Sequence, residues 1–514
     1  MNLGPQITYM YMYGTCTCCT NQHKLSSVSP GAHSAMARVE PLLNSTPPDD
    51  TLAMSEVDPA TLDLSPKPTS GSGAGGWQGS RWGTVFNMCS AILGAGALAL
   101  PRAMSAMGLV PGVILLVLTA CATHYSIVLL VSACVATGTE SFEDLTRHVF
   151  GRWNGRLVEL SIIVFQYGTL VAYTVAIGDI LQPIVELQSV AERFPWLTRD
   201  VVIVLFWSVL MLPLSFVERV SSLQCTSLFG VLALIYLVAA VATHFAIDAA
   251  VDPSGTLGRL RLVSLTADGV SASAIVMFAF TCQVNVPSLY AALQTRTPGE
   301  MAAVSRRATA LCLACYLLVG FCGYADFPAR DPFPGNLLKN YCLVSPDHSS
   351  RAPSGHTPRV MTAAYVAITL TIVMAYPVNV FPTRYTLQGV LSASLGERYK
   401  TARHVGLTLA IASLTLVNAL VVPDISDIFS LMGGTASAYV CYIIPAAAAW
   451  RLDRRLPQNR SALGRVGCAA LFLFGALVGL LSTGTTIAGF FTPSPPAIDA
   501  CNATALAAAL AAAD

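Results

Sequence analysis

The chain has 514 residues, of which 54% are hydrophobic and only 11% are charged, whereas a soluble globular domain is roughly a quarter charged. This composition excludes an ordinary soluble protein, and apolar runs of about 20 residues, long enough to cross a lipid bilayer as helices, recur along the sequence. The net charge is +1, and no basic tract is interleaved with aromatic residues, which argues against a nucleic-acid partner.

The first 80 residues are rich in Ser, Pro, Thr and Gly and include the stretch SPKPTSGSGAGG at 65–76. They show no apolar periodicity, so we expect a disordered cytoplasmic tail. The tail lacks a basic start followed by an apolar core, so the first span must act as the targeting signal. Its cysteines Cys16, Cys18 and Cys19 lack partners at zinc spacing, which favours acylation over a metal site.

Apolar runs predict eleven transmembrane helices in the region 82–490, and therefore an all-α integral membrane protein in the lipid bilayer. A short tail, 491–514, follows them. We name the helices spans 1 to 11 and place them near 83–107, 109–135, 157–184, 200–217, 226–247, 269–293, 307–327, 360–382, 404–422, 427–450 and 465–490.

The distribution of basic residues predicts the orientation, because Lys and Arg accumulate in short cytoplasmic loops. A cytoplasmic amino terminus puts most of the 29 basic residues on that side. The carboxyl-terminal tail then lies outside, where Asn502 begins an N-glycosylation acceptor. Cys342 and Cys501 also fall outside, so a disulfide between them is an option in an oxidising compartment. The plasma membrane and a lysosomal or vacuolar membrane both remain open.

Span 1 reads FNMCSAILGAGALALPRAM from 86 to 104, with Gly94, Gly96 and Pro101 inside a stretch that should otherwise be continuous helix. Such residues weaken or interrupt helical hydrogen bonding. An alternative is that the glycines only permit close helix packing, as small residues often do in membranes.

Span 6 reads FAFTCQVNVPSLY from 278 to 290 and places Gln283, Asn285 and Pro287 at mid-membrane depth. Lipid cannot satisfy unwound peptide groups, so such a break must line a cavity inside the protein. Spans 1 and 6 are five apart in order and run in opposite directions, as expected for two inverted repeats of five helices. Interrupted helices at equivalent places in two halves indicate the binding site of a transporter.

Two ionisable residues lie inside predicted spans, where charge is costly and is a functional candidate by default. Arg102 could attract an anionic group or form an outer gate; alternatively it extends towards the headgroups. His124 in span 2 could exchange protons near neutral pH. Its alternative is a neutral histidine hydrogen-bonded between helices.

Five motifs occur in a fixed order along the chain. They are VFNMCSAILGAGALALP at 85–101, SFEDLTRHVFG at 141–151, FAFTCQVNVPSLY at 278–290, YPVNVFPTR at 376–384 and VPDISDIFSLMGGTASA at 422–438. With these motifs the chain resembles the amino acid/auxin permease family, especially its neutral amino acid transporter branch. The resemblance implies the LeuT-like five-plus-five inverted repeat of amino acid, polyamine and organocation carriers, with discontinuous helices 1 and 6 and an eleventh helix appended.

The same resemblance implies a substrate site. The residues expected around the substrate carboxylate are Ile92, Leu93, Gly94, Ala95 and Gly96. Those expected to face its amino group and side chain are Phe280, Thr281, Cys282 and Gln283. Further wall candidates, for which ordinary polar contact between helices is the alternative, are Gln166, Tyr167, Tyr376 and Asn379.

The residues expected to bind a coupling ion differ from those common in the sodium-coupled branch of this family. In the sodium-coupled branch an asparagine commonly precedes the Ala-Ile pair of span 1 and a threonine precedes the proline of span 8, but Ser90 and Ala375 stand here. Fewer oxygen ligands weaken a sodium site. We therefore favour proton coupling or exchange over sodium symport and keep Asn87, Ser90 and His124 as ion-coupling candidates.

An enzyme would need a nucleophile with a base or a set of metal ligands, and the sequence contains neither HExxH nor GxSxG nor a phosphate-binding loop. We therefore predict no cofactor beyond a coupling H⁺ or Na⁺ and a small-molecule amino acid as the substrate. The predicted function is secondary active transport by alternating access. An amino acid sensor using the same pocket without net transport is the alternative.

Overall fold

The computed structural model describes residues 80–185, 192–216, 225–253, 257–264, 266–328, 333–341, 357–395, 400–422 and 424–491. The predicted tail before Ser80, the glycosylation candidate Asn502 and the pair Cys342 and Cys501 lie outside these residues.

Helices occupy every predicted span. Among the described residues, nine helices are long and apolar enough to cross a membrane, and the bent pair Arg81–Ile92 and Ala95–Met107 forms a tenth crossing. Span 4 is a shorter helical run, 199–215, that contains the π-helical turn Trp207–Met211. Spans 2, 3 and 5 to 11 are Leu109–Thr137, Arg152–Val185, Cys225–Val251, Ala267–Ala291, Pro298–Ala325, Thr357–Leu395, Lys400–Val421, Ile425–Leu452 and Ala462–Phe490.

Several helices extend beyond the apolar stretch that predicted them. Span 7 begins at Pro298 instead of near 307, because the Thr297 side chain caps the helix by accepting from the Glu300 amide at 3.2 Å. Span 8 continues to Leu395 past Pro377 and Pro382. Apolar composition marks only the part of a helix that lies in lipid, whereas capping decides where the helix begins.

Spans 6 and 10 form the centre of the bundle. Their apolar windows are 72% and 78% buried, against 28% for spans 9 and 11, which are therefore peripheral. Small residues allow the central helices to approach closely. A Cβ at Gly479 of span 11 would lie 2.8 Å from the Ala438 Cβ of span 10, and a Cβ at Gly433 would collide with the Ala274 carbonyl of span 6.

A short segment after span 7, residues 333–341, folds back against the helices, and we name it the cap. All of its residues except Lys339 are buried. Arg102 of span 1 donates to the Phe333 carbonyl at 2.7 Å. Lys339 lies 3.3 Å from the Asp179 carboxylate of span 3, which also accepts from Arg199 of span 4 at 3.0 Å. The cap is thus tied to spans 1 and 3.

The last residue of the cap, Tyr341, donates its hydroxyl to the Asp326 carboxylate at the end of span 7, at 2.7 Å. Burial, together with the negative charge of Asp326, raises the pKa of Tyr341 well above its ordinary value. The hydroxyl therefore stays protonated and keeps donating. Span 8 contributes Tyr365, whose hydroxyl donates to the carbonyls of Leu338 and Tyr341.

We predict that Asp179→Ala destabilises the protein by roughly 3–5 kcal/mol, because it removes the buried carboxylate that pairs with Lys339 and leaves Arg199 only the more distant Asp200. Asp200→Ala is the matched control, since Asp200 is 66% exposed and lies 3.8 Å from the same arginine. This control should cost less than about 1 kcal/mol. Thermal unfolding in detergent measures both, and equal shifts in the two variants would contradict the structural role of Asp179.

Candidate functional site

Span 1 is interrupted in its middle. The first half ends at Ile92, Leu93 caps it in an extended conformation, and Gly94 is extended with φ −149° and ψ −163°. The chain then enters a 3-10 turn at Ala95 before the second half begins, and the two halves are bent by 50°. The predicted break is therefore present, and it leaves helix-end peptide groups that need partners.

Span 6 is also interrupted, although its two halves are not bent apart by more than 40°. Its first half, Ala267–Ala279, ends before Phe280, and a 3-10 turn at Gln283–Asn285 leads into the second half, Val286–Ala291. The Gln283 side chain is fully buried; its oxygen accepts from the Cys282 amide at 3.0 Å, while its amide nitrogen has no hydrogen-bond partner among the described residues. The break of span 6 therefore contains a buried side-chain N–H donor, on Gln283, that is available to a ligand.

Tyr316 of span 7 links the two breaks. Its hydroxyl oxygen lies 2.7 Å from the Ile92 carbonyl and 2.9 Å from the Ala279 carbonyl, so its single proton is shared between the two helix ends. The side chain is fully buried and packs edge-on against Phe280 at 5.1 Å. The Tyr316 hydroxyl therefore holds Ile92, where the first half of span 1 ends, next to Ala279, where the first half of span 6 ends. Both spans were predicted to be broken.

The two glycines of span 1 have different surroundings. A Cβ built at Gly94 would meet nothing within 4 Å, whereas one at Gly96 would lie 3.0 Å from the Ala279 Cα and 3.3 Å from Phe278. Gly94 is also exposed, although Ile92 and Gly96 on either side are buried. Gly96 thus permits close packing of span 1 on span 6, while Gly94 borders open space at the break.

An aromatic cluster lies beside the breaks, and the sequence motifs did not identify it as a unit. Phe278 of span 6 stacks on Phe429 of span 10 at a centroid distance of 4.4 Å and lies 5.3 Å from Phe165 of span 3. The cluster joins three spans, and it adjoins Gly96 through Phe278. Nothing in the individual sequences of spans 3 and 10 shows that these rings meet.

The wall candidates make contacts with neighbouring helices. The Tyr167 hydroxyl of span 3 accepts from Asn418 of span 9 at 2.6 Å, and Tyr376 of span 8, fully buried, lies 2.7 Å from the Thr415 hydroxyl of span 9. Asn379 donates to the Ala375 carbonyl of its own helix at 2.9 Å. Gln166 is half-buried. Tyr167 and Tyr376 thus join span 9 to spans 3 and 8, and all four residues stay predicted candidates for the wall of the substrate site.

The remaining predicted positions lie on spans 1, 2 and 6. Thr281 donates to the Met277 carbonyl at 3.1 Å, and Cys282 is buried. Asn87 and Ser90 are half-buried on span 1, before the break. The His124 ring lies 2.5 Å from the Ser305 hydroxyl, joining spans 2 and 7.

Solved structures of similar shape define the fold. The chain aligns with MhsT in complex with L-phenylalanine at a TM-score of 0.51 and 12% identity, covering 80% of this chain and 99% of that chain. It aligns with a mutant of the Eremococcus coleocola manganese transporter at a TM-score of 0.52 and 12% identity, covering 86% and 95%. At this identity the likeness shows the fold alone, and it confirms the predicted LeuT-like arrangement.

The family follows from the sequence comparison. The family model described as transmembrane amino acid transporter protein matches residues 78–488, so the chain belongs to that family. This confirms the resemblance drawn from the five motifs. Since the family consists of membrane transporters, the chain is a multi-pass membrane protein and not an enzyme.

Curated relatives match over most of their length. Amino acid transporter AVT6E of Arabidopsis thaliana is 28% identical, with 79% of this chain and 83% of the relative covered. Vacuolar amino acid transporter 5 of Schizosaccharomyces pombe is also 28% identical, with 79% and 94% covered. Putative sodium-coupled neutral amino acid transporter 11 of Rattus norvegicus is 24% identical, with 78% and 84% covered.

We predict that Tyr316→Phe lowers stability by roughly 1–3 kcal/mol, because two buried carbonyl oxygens lose their shared donor while the ring is kept. Tyr385→Phe serves as the control, since Tyr385 lies on span 8 and is 43% exposed. The Tyr385→Phe variant should lower the free energy of unfolding by no more than about 0.5 kcal/mol. Thermal unfolding in detergent compares the two, and an unchanged midpoint for Tyr316→Phe would show that the bridge contributes little.

Proposed function

We propose that this chain is a secondary active transporter that carries amino acids across a membrane by alternating access. The observation that carries the proposal is the open space in front of Gly94, at a helix break that is bonded through Tyr316 to the break of span 6. Interrupted helices at equivalent positions of two repeats are where such carriers bind substrate. The relatives named as amino acid transporters support the same substrate class.

The chemistry of the break suits a solute with one carboxylate and one ammonium group. The start of the second half of span 1, from Ala95, offers N–H groups without helical partners and the positive end of a helix dipole, which favour a carboxylate. Tyr316 occupies the carbonyls of Ile92 and Ala279. We therefore infer that the substrate amino group faces the unwound residues 280–283 of span 6 instead.

Gly94→Val tests this pocket directly. The extended backbone at Gly94 accepts any residue, and a Cβ there meets no atom, so valine should fold normally and fill the space that the substrate needs. We expect uptake of labelled amino acid into proteoliposomes to fall by more than about tenfold, equivalent to about 1.4 kcal/mol. Undiminished uptake would reject the pocket assignment.

Gly484→Val is the matched control for this experiment. Gly484 lies on the peripheral span 11, is exposed, and also has no atom within 4 Å of a built Cβ. It should transport at the wild-type rate. Wild-type protein that binds amino acid without any flux would instead support the sensor and overturn the transporter proposal.

We propose further that transport is coupled to protons or proceeds by exchange, and does not depend strongly on sodium. Ser90 and Ala375 replace side chains that commonly supply oxygen ligands in the sodium-coupled branch. In addition, carbonyls at the ends of half-helices are typical cation ligands, and here Tyr316 already shares its proton between two of them. A protein hydroxyl thus fills one position that a coupling cation could use.

Uptake in proteoliposomes separates the coupling modes. We expect replacement of Na⁺ by choline to change the initial rate by less than about twofold, because a hard-cation site needs more oxygen ligands than these positions offer. An inward proton gradient or preloaded amino acid should raise the rate. A loss of uptake without sodium, with no response to either gradient, would contradict this proposal.

We also propose that the amino terminus is cytoplasmic, because basic residues gather at the ends of the helices on that side. Arg81 at the start of span 1 pairs with Glu300 at the start of span 7, and Arg307 of span 7 lies over the Trp82 ring, so these basic residues share one end of the bundle. The cap, at the opposite end, then faces the outside of the cell or the lumen of an organelle.

A further inference from the structure

Three side chains with metal-binding chemistry meet at the cap end of the bundle. His244 lies near the end of span 5, Asp248 follows it by one helical turn, and Asp326 directly follows span 7. The His244 Nδ1 atom lies 2.9 Å from Asp326 Oδ2 and 3.6 Å from Asp248 Oδ2. One ligand atom from each of the three residues lies within 4.8 Å of the others. The cluster is separate from both helix breaks and from the candidate substrate residues.

These separations fit a transition-metal ion. Zinc binds imidazole nitrogen and carboxylate oxygen at about 2.0–2.2 Å, so neighbouring ligand atoms around a tetrahedral ion are about 3.4 Å apart. The distances from His244 Nδ1 to the two Oδ2 atoms, 3.6 Å to Asp248 and 2.9 Å to Asp326, lie on either side of that value. A small rotation of either carboxyl group would therefore place its oxygens around an ion that replaces the contact between Nδ1 and Asp326.

The Asp326 carboxylate provides an independent indication of a ligand. Its side chain is fully buried, and its Oδ1 atom has no hydrogen-bond partner among the described residues. Removing a carboxylate from water costs several kcal/mol unless its charge and lone pairs are compensated. The contacts from Tyr341 and His244 both go to the other oxygen, Oδ2, so Oδ1 is the Asp326 atom that is left to bind a cation.

The surroundings of the cluster hold the ligands in place. Tyr341 donates its hydroxyl to Asp326 Oδ2 at 2.7 Å, and ligating carboxylates are commonly fixed by such a second hydrogen bond. The His244 ring packs edge-on against Tyr341 at 5.0 Å and lies parallel to Phe327 at 6.5 Å. The ring orientation is therefore set by packing before any ion binds.

We propose that His244, Asp248 and Asp326 form a binding site for a divalent transition-metal ion of the zinc class. The mixed nitrogen and oxygen donors favour such an ion over Ca²⁺ or Mg²⁺, which take oxygen ligands in larger numbers. Three protein ligands leave one position for water, as in open zinc sites. The ion joins span 5 to span 7, and through Tyr341 it joins both to the cap.

Calorimetric titration of the full-length, untagged protein tests the site. The protein is purified in detergent, stripped with a chelator, and titrated with ZnCl₂ and, separately, with MgCl₂. To remove a competing set of thiols, the cysteines of the amino-terminal tail are replaced in a background variant, Cys16→Ser with Cys18→Ser and Cys19→Ser. We expect a zinc site with one ion per chain and no comparable binding of Mg²⁺.

Two ligand variants and one control decide where the ion binds. The ligand variants His244→Ala and Asp248→Asn should each weaken zinc binding by more than about tenfold. A further variant, Tyr341→Phe, removes only the hydroxyl that supports Asp326 and should weaken zinc binding by about 10-fold to 100-fold. Asp248 is 30% exposed, so its amide variant should fold even if others do not. His148→Ala removes an exposed histidine elsewhere and should bind zinc as before. Unchanged zinc affinity in both ligand variants would overturn the proposal.

A second readout rests on the proposed transport function. Because the ion would tie span 5 to span 7 and the cap, zinc on both sides of proteoliposomes should slow uptake by wild-type protein and leave uptake by Asp248→Asn unaffected. Zinc binding that is lost in the variants without any effect on uptake would keep the metal site and reject only its influence on transport. Failure of all uptake would concern the transport proposal alone.

Discussion

The structure depends on one constraint, which is that peptide groups freed by a helix break inside a membrane must find partners within the protein. Spans 1 and 6 both break, and the carbonyls that end their first halves, at Ile92 and Ala279, share the hydroxyl proton of Tyr316. This contact stabilises two unwound segments with one side chain and holds them side by side. Open space borders Gly94, at the break of span 1 that this contact joins to span 6.

Other contacts surround this centre and divide the bundle into parts with different tasks. Gly96 lets span 1 pack directly on span 6, and the ring cluster of Phe165, Phe278 and Phe429 joins spans 3, 6 and 10 beside the break. At the cap end, charged and aromatic groups tie residues 333–341 to spans 1, 3, 7 and 8. The breaks, where we propose that the substrate binds, are thus separate from the contacts that tie the cap to the helices.

Much of this could be predicted from the sequence, for identifiable reasons. Apolar length located ten helices that are long enough to cross a membrane among the described residues, while the predicted span 4 is a shorter helical run. Glycine, proline and polar residues at mid-membrane depth located both breaks. The start of span 7 was placed too late, since the Thr297 cap lies outside the apolar stretch. Tyr316 could not be identified, because a tyrosine within an apolar run has the same sequence signature whether it bonds a helix end or fills the core.

The amino-acid sequence by itself determined the membrane environment, the family and the positions where spans 1 and 6 break, because these are properties of local composition and of backbone chemistry. Only the tertiary structure decided which residues meet. It separated Gly94, which borders open space, from Gly96, which packs against Ala279, and it brought His244 of span 5 to Asp326 beyond span 7. Such pairings depend on how helices that are far apart in the sequence pack together, and no local sequence pattern determines that packing.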